Sequence, residues 1–287
     1  MTAFAQLRRT AKSVVQKSPV IGGIASRIEY HLQARHFPSD FSGAPAELRP
    51  WLEQLHRDGI VMLPGYFDRK TCEACILELD RAMAAKPEIV QVSGSDRRVY
   101  GAEHLSPLVQ HFAGDQNFLA IARLYTGDDI VNAFTLAQRT HPLEGAQIAN
   151  SGWHRDSFYR QVKAFLYLTD VDVDSGPLQY LRGSHRYDEF LRDQRRYGFK
   201  FHQGSLQEEA TRMADREPQR LASVTVPAGT AVLANTFIIH RGSPIRQIGH
   251  QRYALTNYYF PRTDCTQELI DHYSPLVSPQ AVLSLRG

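Results

Sequence analysis

Short apolar runs separated by turn residues make up the second half of this 287-residue chain, and they limit its possible folds more than any other feature. After Asp128 the runs are rich in β-branched and aromatic residues, which favour strands. Strands at such close intervals predict an all-β barrel or sandwich. The runs are VNAFTLAQRT, QVKAFLYLTDV, GPLQYL, ASVTVPAGTAVLA and YALTNYYF.

The first half of the chain has a helical character instead. The segment ELRPWLEQLHRDG predicts a helix that ends at Gly59, IVMLPGYF predicts a short strand and turn, and Asp68 can cap a helix that runs to Met83. Residues 84–115 predict irregular structure, and residues 116–126 predict another helix. We therefore expect a mainly β fold with flanking helices, in which the helical front half packs on a β core.

The net charge of +3 is unevenly distributed along the chain. Residues 1–37 hold six basic residues against Glu29 alone, so this arm carries +5 and residues 38–287 carry −2. A body of that composition is not expected to bind nucleic acid. Apolar residues recur at helical spacing in the arm, which can pack on its own domain or lie on an anionic membrane surface. We expect a basic amphipathic arm at 1–37 and a single domain at 38–287.

The three cysteines do not predict a disulfide framework or a zinc site. Cys72 and Cys75 form a CxxC within an amphipathic helical pattern, and no second pair completes a zinc site. We interpret them as packing thiols in a reducing cytoplasm. The sequence has neither the roughly 18 to 20 apolar residues of a membrane-spanning helix nor a secretory signal, which also favours a cytoplasmic protein.

The stretch WHRDS carries the strongest chemical signal. In an extended strand His154 and Asp156 point to the same face, so both can reach one cation. The motif is weak alone. The candidate third ligand is His240, in ANTFIIHRG, which predicts an apolar strand that ends at this histidine. Two histidines and one carboxylate suit non-haem Fe(II) with open coordination positions, and zinc accepts the same ligands.

Arg252 distinguishes these two metals. It opens the strand RYALTNYYF, twelve residues after His240, and shares a strand face with Thr256. A guanidinium there could hold the far carboxylate of a dicarboxylic acid, and Thr256 could add a hydroxyl. Arg246 is the competing arginine, but its position in the turn SPIRQIG predicts a solvated side chain.

These motifs together resemble the phytanoyl-CoA dioxygenase family. The resemblance covers roughly residues 50–262 and includes HRDGIVMLPGYFDRKTCEACILEL, WHRDS, FLYLTDVDVDSGPLQYLRGSHR and HRGSPIRQIGHQRYALTNYYF. It implies a double-stranded β-helix, or jelly roll, and an Fe(II)-dependent oxygenase with 2-oxoglutarate and O₂ as co-substrates. It also implies that His154, Asp156 and His240 bind the metal and that Arg252 binds 2-oxoglutarate.

The chain departs from the family pattern at two points. Arg182 stands where the family usually has proline before G-S-H, which we interpret as a loop change, and the spacing from His240 to Arg252 is slightly long. The acidic ligand, in contrast, is retained as Asp156. Related halogenases lack that carboxylate, so the resemblance favours hydroxylation of a C–H bond.

Six further residues are candidates for the site. Lys163 and Tyr167 share one face of the strand after the metal motif, and these two with Gln138 on an earlier strand are candidate contacts to 2-oxoglutarate or substrate. Each could instead serve the core or satisfy a backbone group. Before the barrel, the cluster of Arg97, Arg98 and Tyr100 could bind a carboxylate or phosphate of the substrate, or be a solvated loop.

The substrate class stays open at this level. One version is a membrane-presented anionic substrate, such as the Kdo sugar of lipopolysaccharide, which would explain the basic arm. The other is a soluble natural-product intermediate or amino-acid derivative. A non-catalytic binding protein on a jelly-roll scaffold is the competing class, because fold alone does not establish activity.

Overall fold

The structure is a computed structural model that describes residues 28, 37–142, 152–157, 160–200, 203–246 and 249–273, without the side chain of residue 270. Its α-helices are α1 (Arg49–Asp58), α2 (Arg69–Ala85), α3 (Pro107–Ala113), α4 (Gln116–Thr126), α5 (Tyr187–Tyr197), α6 (Gln207–Arg216) and α7 (Gln267–His272). Short 3-10 helices lie at Pro87–Ile89, Ala102–His104, Pro218–Arg220 and Arg262–Asp264.

The strands form two sheets. They are β1 (Ile60–Leu63), β2 (Gln91–Ser93), β3 (Asp96–Tyr100), β4 (Ile130–Thr140), β5 (Val162–Tyr167), β6 (Leu178–Leu181), β7 (Leu221–Ser223), β8 (Thr230–Asn235), β9 (His240–Gly242) and β10 (Arg252–Pro261). The major sheet has the order β1-β8-β5-β10-β4-β3-β2, and the minor sheet has the order β7-β6-β9. All of these pairings are antiparallel.

Local sequence signals account for the helical front half. Gly59 ends α1 in the left-handed region at φ 77°, which glycine adopts at little cost. Asp68 caps α2, accepting a hydrogen bond from the Thr71 amide at 2.6 Å. The helices predicted to end at Gly59, to start after Asp68 and to span 116–126 are therefore confirmed.

The central strand β10 shows how the two faces of the major sheet differ. Tyr253, Leu255 and Tyr259 belong to the main hydrophobic core, in which the front-half helices pack on the sheet. Residues of the other face, beginning with Arg252 and Thr256, line a cavity. Because side chains alternate along a strand, one element supplies both the core and the cavity wall.

The prediction of irregular structure over 84–115 is wrong. This segment contains β2, β3 and α3, and β3 pairs with β4 so that Asp96 lies opposite Thr140. β3 has the sequence DRRVY, whose three polar residues do not give the apolar pattern by which a strand is predicted. Asp96 is nevertheless fully buried. Its carboxylate accepts a hydrogen bond from the Thr140 hydroxyl at 2.7 Å, which offsets the cost of burying it.

ANTFIIHRG is also not one continuous strand. β8 ends at Asn235, whose side-chain oxygen accepts a hydrogen bond from the Phe237 amide at 3.1 Å and so supports a turn. The chain then crosses to the minor sheet, where β9 begins at His240. His240 therefore opens a strand, whereas the sequence predicted that it would close one.

Three outcomes concern the expected domain boundaries, thiols and membrane contact. The basic arm at 1–37 lies outside the described residues apart from Ile28 and Phe37. Cys72 and Cys75 are buried in the core as free thiols, as their helical spacing predicted. Among the residues described, no helix combines the length and the apolar character needed to cross a membrane.

Candidate metal centre

The two histidines meet because their strands pair directly. The His154 amide donates to the His240 carbonyl at 2.9 Å, and the His240 amide donates to the His154 carbonyl at 3.0 Å. The segment around His154 therefore adds to the minor sheet beside β9. This pairing brings together two residues that are 86 positions apart in the chain.

Each imidazole is oriented by a backbone carbonyl. His154 Nδ1 lies 2.8 Å from the Gly152 carbonyl oxygen, and His240 Nδ1 lies 2.9 Å from the Ile238 carbonyl oxygen. A carbonyl can only accept, so Nδ1 carries the proton and Nε2 presents its lone pair. Metal-binding histidines usually donate their other ring N–H to a carbonyl or carboxylate in this way.

Both Nε2 atoms point at the carboxylate of Asp156. The distances are 3.5 Å from His154 Nε2 to Oδ1 and 3.5 Å from His240 Nε2 to Oδ2. One ligand atom from each of the three residues lies within 4.8 Å of the other two. The donor set is two imidazole nitrogens and one carboxylate oxygen on one side of a cavity, which fits a non-haem Fe(II) centre with open positions.

Lys163 controls the charge of Asp156. Its ammonium lies 3.0 Å from Asp156 Oδ2 and 4.1 Å from the centre of the Tyr258 ring. Burial opposes ionisation of this carboxyl, but the Lys163 ammonium holds the pKa of Asp156 well below its usual range. Asp156 is therefore ionised, as a metal ligand must be, at neutral and mildly acidic pH.

The residue between the two ligands is packed on the opposite side of the segment. The Arg155 guanidinium lies 4.6 Å from the centre of the Phe237 ring and 4.7 Å from that of Phe190. It also donates to the Ser184 carbonyl at 3.2 Å. These contacts hold the segment so that His154 and Asp156 face the cavity.

Arg252 lies in the same cavity as the candidate metal ligands. It is 7% exposed, and its Nη2 atom lies 3.4 Å from Thr140 Oγ1. Within the described part of the chain no carboxylate lies within ion-pair distance of it. A Cβ atom at Gly176, where φ is +72°, would lie 3.2 Å from Arg252 Nη1 and 2.6 Å from the Ser243 carbonyl oxygen, so glycine leaves room for the guanidinium.

A buried guanidinium without a carboxylate partner favours an anionic ligand, because an unpaired buried charge is costly. The arginine and the three metal-ligand candidates therefore fit a dicarboxylate such as 2-oxoglutarate, with one end at the metal and the other at Arg252. Thr256 lines the cavity two positions further along the same strand face.

The structure places the remaining candidates unequally. Gln138, Lys163, Tyr167 and Arg98 line the cavity together with the metal ligands. Tyr100 does not line it, and packs instead on the rings of Phe134 at 5.8 Å and Tyr273 at 5.1 Å. Arg97 alternates to the other face of β3, and Arg246 is exposed as predicted.

Sequence reasoning missed several residues around the cavity. Thr140 and Leu136 lie on the same face of β4 as Gln138, so strand alternation from that residue could have identified them. Asp96 required knowledge that β3 is a strand. Gly176 and Leu178 lie within the segment DVDSGPL, and no spacing rule places that segment at the cavity with Arg252.

Comparison with known proteins gives two kinds of similarity. A sequence model described as phytanoyl-CoA dioxygenase (PhyH) matches residues 55–248. The chain is 26% identical over 170 residues to an ectoine dioxygenase of Stutzerimonas stutzeri, covering 53% of this chain and 54% of that enzyme. The chain thus matches about half the length of this relative.

Solved structures share the fold. EctD from S. alaskensis with bound iron has a TM-score of 0.60 and 16% identity, covering 80% of this chain and 82% of that chain. HygX from Streptomyces hygroscopicus with nickel and 2-oxoglutarate bound has a TM-score of 0.53 and 21% identity, covering 74% and 87%. These similarities confirm the predicted jelly roll.

Proposed function

The chain belongs to the phytanoyl-CoA dioxygenase family of iron- and 2-oxoglutarate-dependent oxygenases, and from that premise we propose that it hydroxylates an unactivated C–H bond. The observation that carries the proposal is Arg252, a buried guanidinium without a carboxylate partner among the described residues, in the cavity that holds His154, Asp156 and His240. A zinc site or a simple binding pocket has no need of this arginine.

Different residues of this chain bind the metal, orient the co-substrate and keep the carboxylate ligand ionised. Bound Fe(II) supplies the redox chemistry that turns 2-oxoglutarate, O₂ and a C–H bond into succinate, CO₂ and an alcohol. His154, Asp156 and His240 would hold this iron, since two imidazoles and one carboxylate are a donor set that suits it. Arg252 orients the co-substrate through its distal carboxylate, and Lys163 keeps Asp156 ionised.

The cavity walls also exclude water from part of the site. Leu136, Phe165 and Leu178 line it beside the polar groups. Apolar walls strengthen the charge interactions inside and limit side reactions of the activated site.

Two versions of the substrate remain within this proposal. A membrane-presented anionic substrate, such as the Kdo sugar of lipopolysaccharide, is supported by the basic composition of residues 1–37. A soluble natural product or amino-acid derivative is supported by the names of similar proteins, one an ectoine dioxygenase and the other HygX with hygromycin B bound. In either version the three cysteines, all free and buried, favour a reducing cytoplasm as the site of action.

Succinate formation from 2-oxoglutarate under air, with added Fe(II), tests the class of enzyme. We expect slow turnover without substrate in the wild type and none in His154→Ala. Arg252→Ala should require about 10- to 100-fold more 2-oxoglutarate, because a charge-assisted pair contributes roughly 1.5–3 kcal/mol. Arg246→Ala, which removes an exposed arginine, is the matched control and should behave as the wild type.

Calorimetry decides the case in which no succinate forms. If 2-oxoglutarate binds the metal-loaded protein and Arg252→Ala weakens that binding, the oxygenase assignment stands and turnover needs the true substrate. If 2-oxoglutarate fails to bind, the assignment is wrong and a non-catalytic binding protein takes its place.

A further inference from the structure

The cavity holds more positive than negative charge. Among the described residues three cationic side chains line it, Arg98, Lys163 and Arg252, with one carboxylate, Asp156. A second carboxylate, Asp96, is fully buried against Arg98 at 2.8 Å. Three positive and two negative charges leave a surplus of +1.

The surplus is not removed by internal pairing, because Asp96 forms an ion pair with Arg98 only and is separated from Arg252 by the Thr140 hydroxyl. Asp96 Oδ2 accepts from Arg98 Nη2 at 2.8 Å, and Asp96 Oδ1 accepts from the Thr140 hydroxyl at 2.7 Å. Thr140 Oγ1 in turn lies 3.4 Å from Arg252 Nη2. Asp96 can therefore neutralise only one of the two arginines.

Binding of the metal and co-substrate leaves this surplus unchanged. On the function proposed above, Fe(II) adds two positive charges and 2-oxoglutarate adds two negative charges. The loaded cavity keeps a net charge of +1 in a partly desolvated space, where an anion is favoured over a neutral or cationic group.

Arg98 is the cation best placed to meet such an anion. Lys163 is committed to Asp156 and Arg252 to the co-substrate, whereas Arg98 uses only its Nη2 atom in the ion pair with Asp96. Arg98 keeps a buried Nε donor that has no partner among the described residues, and its side chain is 16% exposed. Its pairing with Asp96, which outweighs the opposing effect of burial, raises the pKa of Arg98 further.

The register of the sheet separates Arg98 from the co-substrate position. Arg252 lies opposite Thr140, which lies opposite Asp96, and Arg98 is two residues further along β3. The backbone of Arg98 is therefore offset from that of Arg252 by two residues along the strand, about 7 Å, and by two strands across the sheet, about 10 Å. A ligand at Arg98 therefore need not compete with a carboxylate at Arg252.

We propose that the substrate carries a single acidic group and that Arg98 binds it in the iron cavity. This inference rests on the proposed function, and it names the chemical class of the substrate. The acidic group is identified by its charge, so a sugar acid and an N-acylated amino acid both qualify, whereas a neutral or cationic substrate does not.

Fluorine NMR tests this inference without the true substrate. Trifluoroacetate and its uncharged analogue trifluoroacetamide are the probes, and the protein is loaded with paramagnetic Mn(II) and saturating 2-oxoglutarate. We expect broadening of the trifluoroacetate signal that trifluoroacetamide does not show. Arg98→Gln should reduce probe affinity about tenfold or more, and Arg246→Gln should not, because only the first removes a charged donor from the cavity.

Two further variants guard against a folding artefact. Arg98→Lys should restore part of the trifluoroacetate broadening, since it keeps the charge. Asp96→Asn should increase the broadening, because it removes the competing carboxylate, whereas a purely structural Arg98–Asp96 pair predicts no gain.

Binding of 2-oxoglutarate is measured first. A failure of the proposed function therefore appears as loss of 2-oxoglutarate binding, and a failure of the substrate inference appears only in the trifluoroacetate signal. If 2-oxoglutarate binds and trifluoroacetate is not broadened, or is broadened equally in Arg98→Gln, the substrate inference is overturned. Arg98→Gln that loses 2-oxoglutarate instead would place Arg98 in the co-substrate site and also overturn it.

Discussion

At the scale of single residues, the site depends on pairing between charges that burial would otherwise disfavour. Asp156 is flanked by Lys163, and Asp96 by Arg98, with ammonium or guanidinium nitrogens at 3.0 Å and 2.8 Å. Among the described cations that line the cavity, Arg252 alone has no carboxylate partner. The co-substrate is therefore expected at Arg252.

Replacement of Lys163 should make metal binding depend more strongly on pH. Burial raises the pKa of Asp156 and Lys163 is the largest of the causes that lower it, so Lys163→Met raises that pKa. With a raised pKa, the carboxyl begins to protonate at a higher pH than in the wild type, so affinity for the metal is lost earlier as the pH falls.

Titration of Co(II), followed by its visible absorption, measures this effect between pH 5 and 7. The variant keeps all three candidate ligands, so the difference in slope between it and the wild type reports the effect of Lys163 on Asp156. Lys86→Met, which removes an exposed lysine, should match the wild type. Equal slopes for Lys163→Met and wild type would show that the lysine does not control this carboxyl.

At the scale of elements, the helical front half is joined to the β core by a close contact between turns. The Phe67 amide, just before α2, donates to the Gly229 carbonyl, just before β8, at 3.1 Å. Gly229 has φ +83°, and a Cβ atom there would lie 1.9 Å from the Phe67 carbonyl oxygen. Only glycine permits this approach.

Gly229→Ala should therefore destabilise the fold far more than its backbone conformation alone explains. The positive φ costs about 1–2 kcal/mol for an L-residue, and the overlap with Phe67 adds a further ~1–3 kcal/mol. Gly198→Ala is the matched control, because Gly198 has φ +81° and no atom within 4 Å of the added Cβ. Urea unfolding monitors both variants, and equal losses of stability would contradict the contact.

At the scale of the whole molecule, the reaction site lies where the two sheets face each other. The minor sheet, with the segment beside β9, contributes His154 and His240. The major sheet contributes Lys163 and Arg252. Neither sheet alone holds both the metal ligands and the anion-binding arginine, so loss of the sheet packing abolishes both functions together.

Vesicle sedimentation with and without the basic arm at 1–37 tests whether this arm brings the protein to a membrane. Full-length protein should sediment with vesicles that contain phosphatidylglycerol and remain in solution with phosphatidylcholine vesicles, because the arm carries +5. Removal of residues 1–37 should abolish sedimentation without changing 2-oxoglutarate binding. Equal sedimentation of both proteins would exclude the arm as a membrane contact.

The sequence alone predicted the fold class, the helix caps and the candidate metal ligands, because each depends on local rules. Strand alternation places His154 and Asp156 on one face, and capping chemistry sets the helix ends at Gly59 and Asp68. His240 was predicted from its place at the end of an apolar run and Arg252 from its place at the start of a strand, and the family resemblance implied the same two residues.

Only the tertiary structure decided which polar residues share the cavity. β3 was not predicted as a strand, because its polar residues are buried by pairing with β4, and this pairing separates Arg98 from Arg97 and buries Asp96. Contacts such as Asp96 with Thr140 join residues 44 positions apart, and Arg252 with Thr140 joins residues 112 apart. Such contacts arise from sheet register, which pairing across the whole β core sets and which no local pattern encodes.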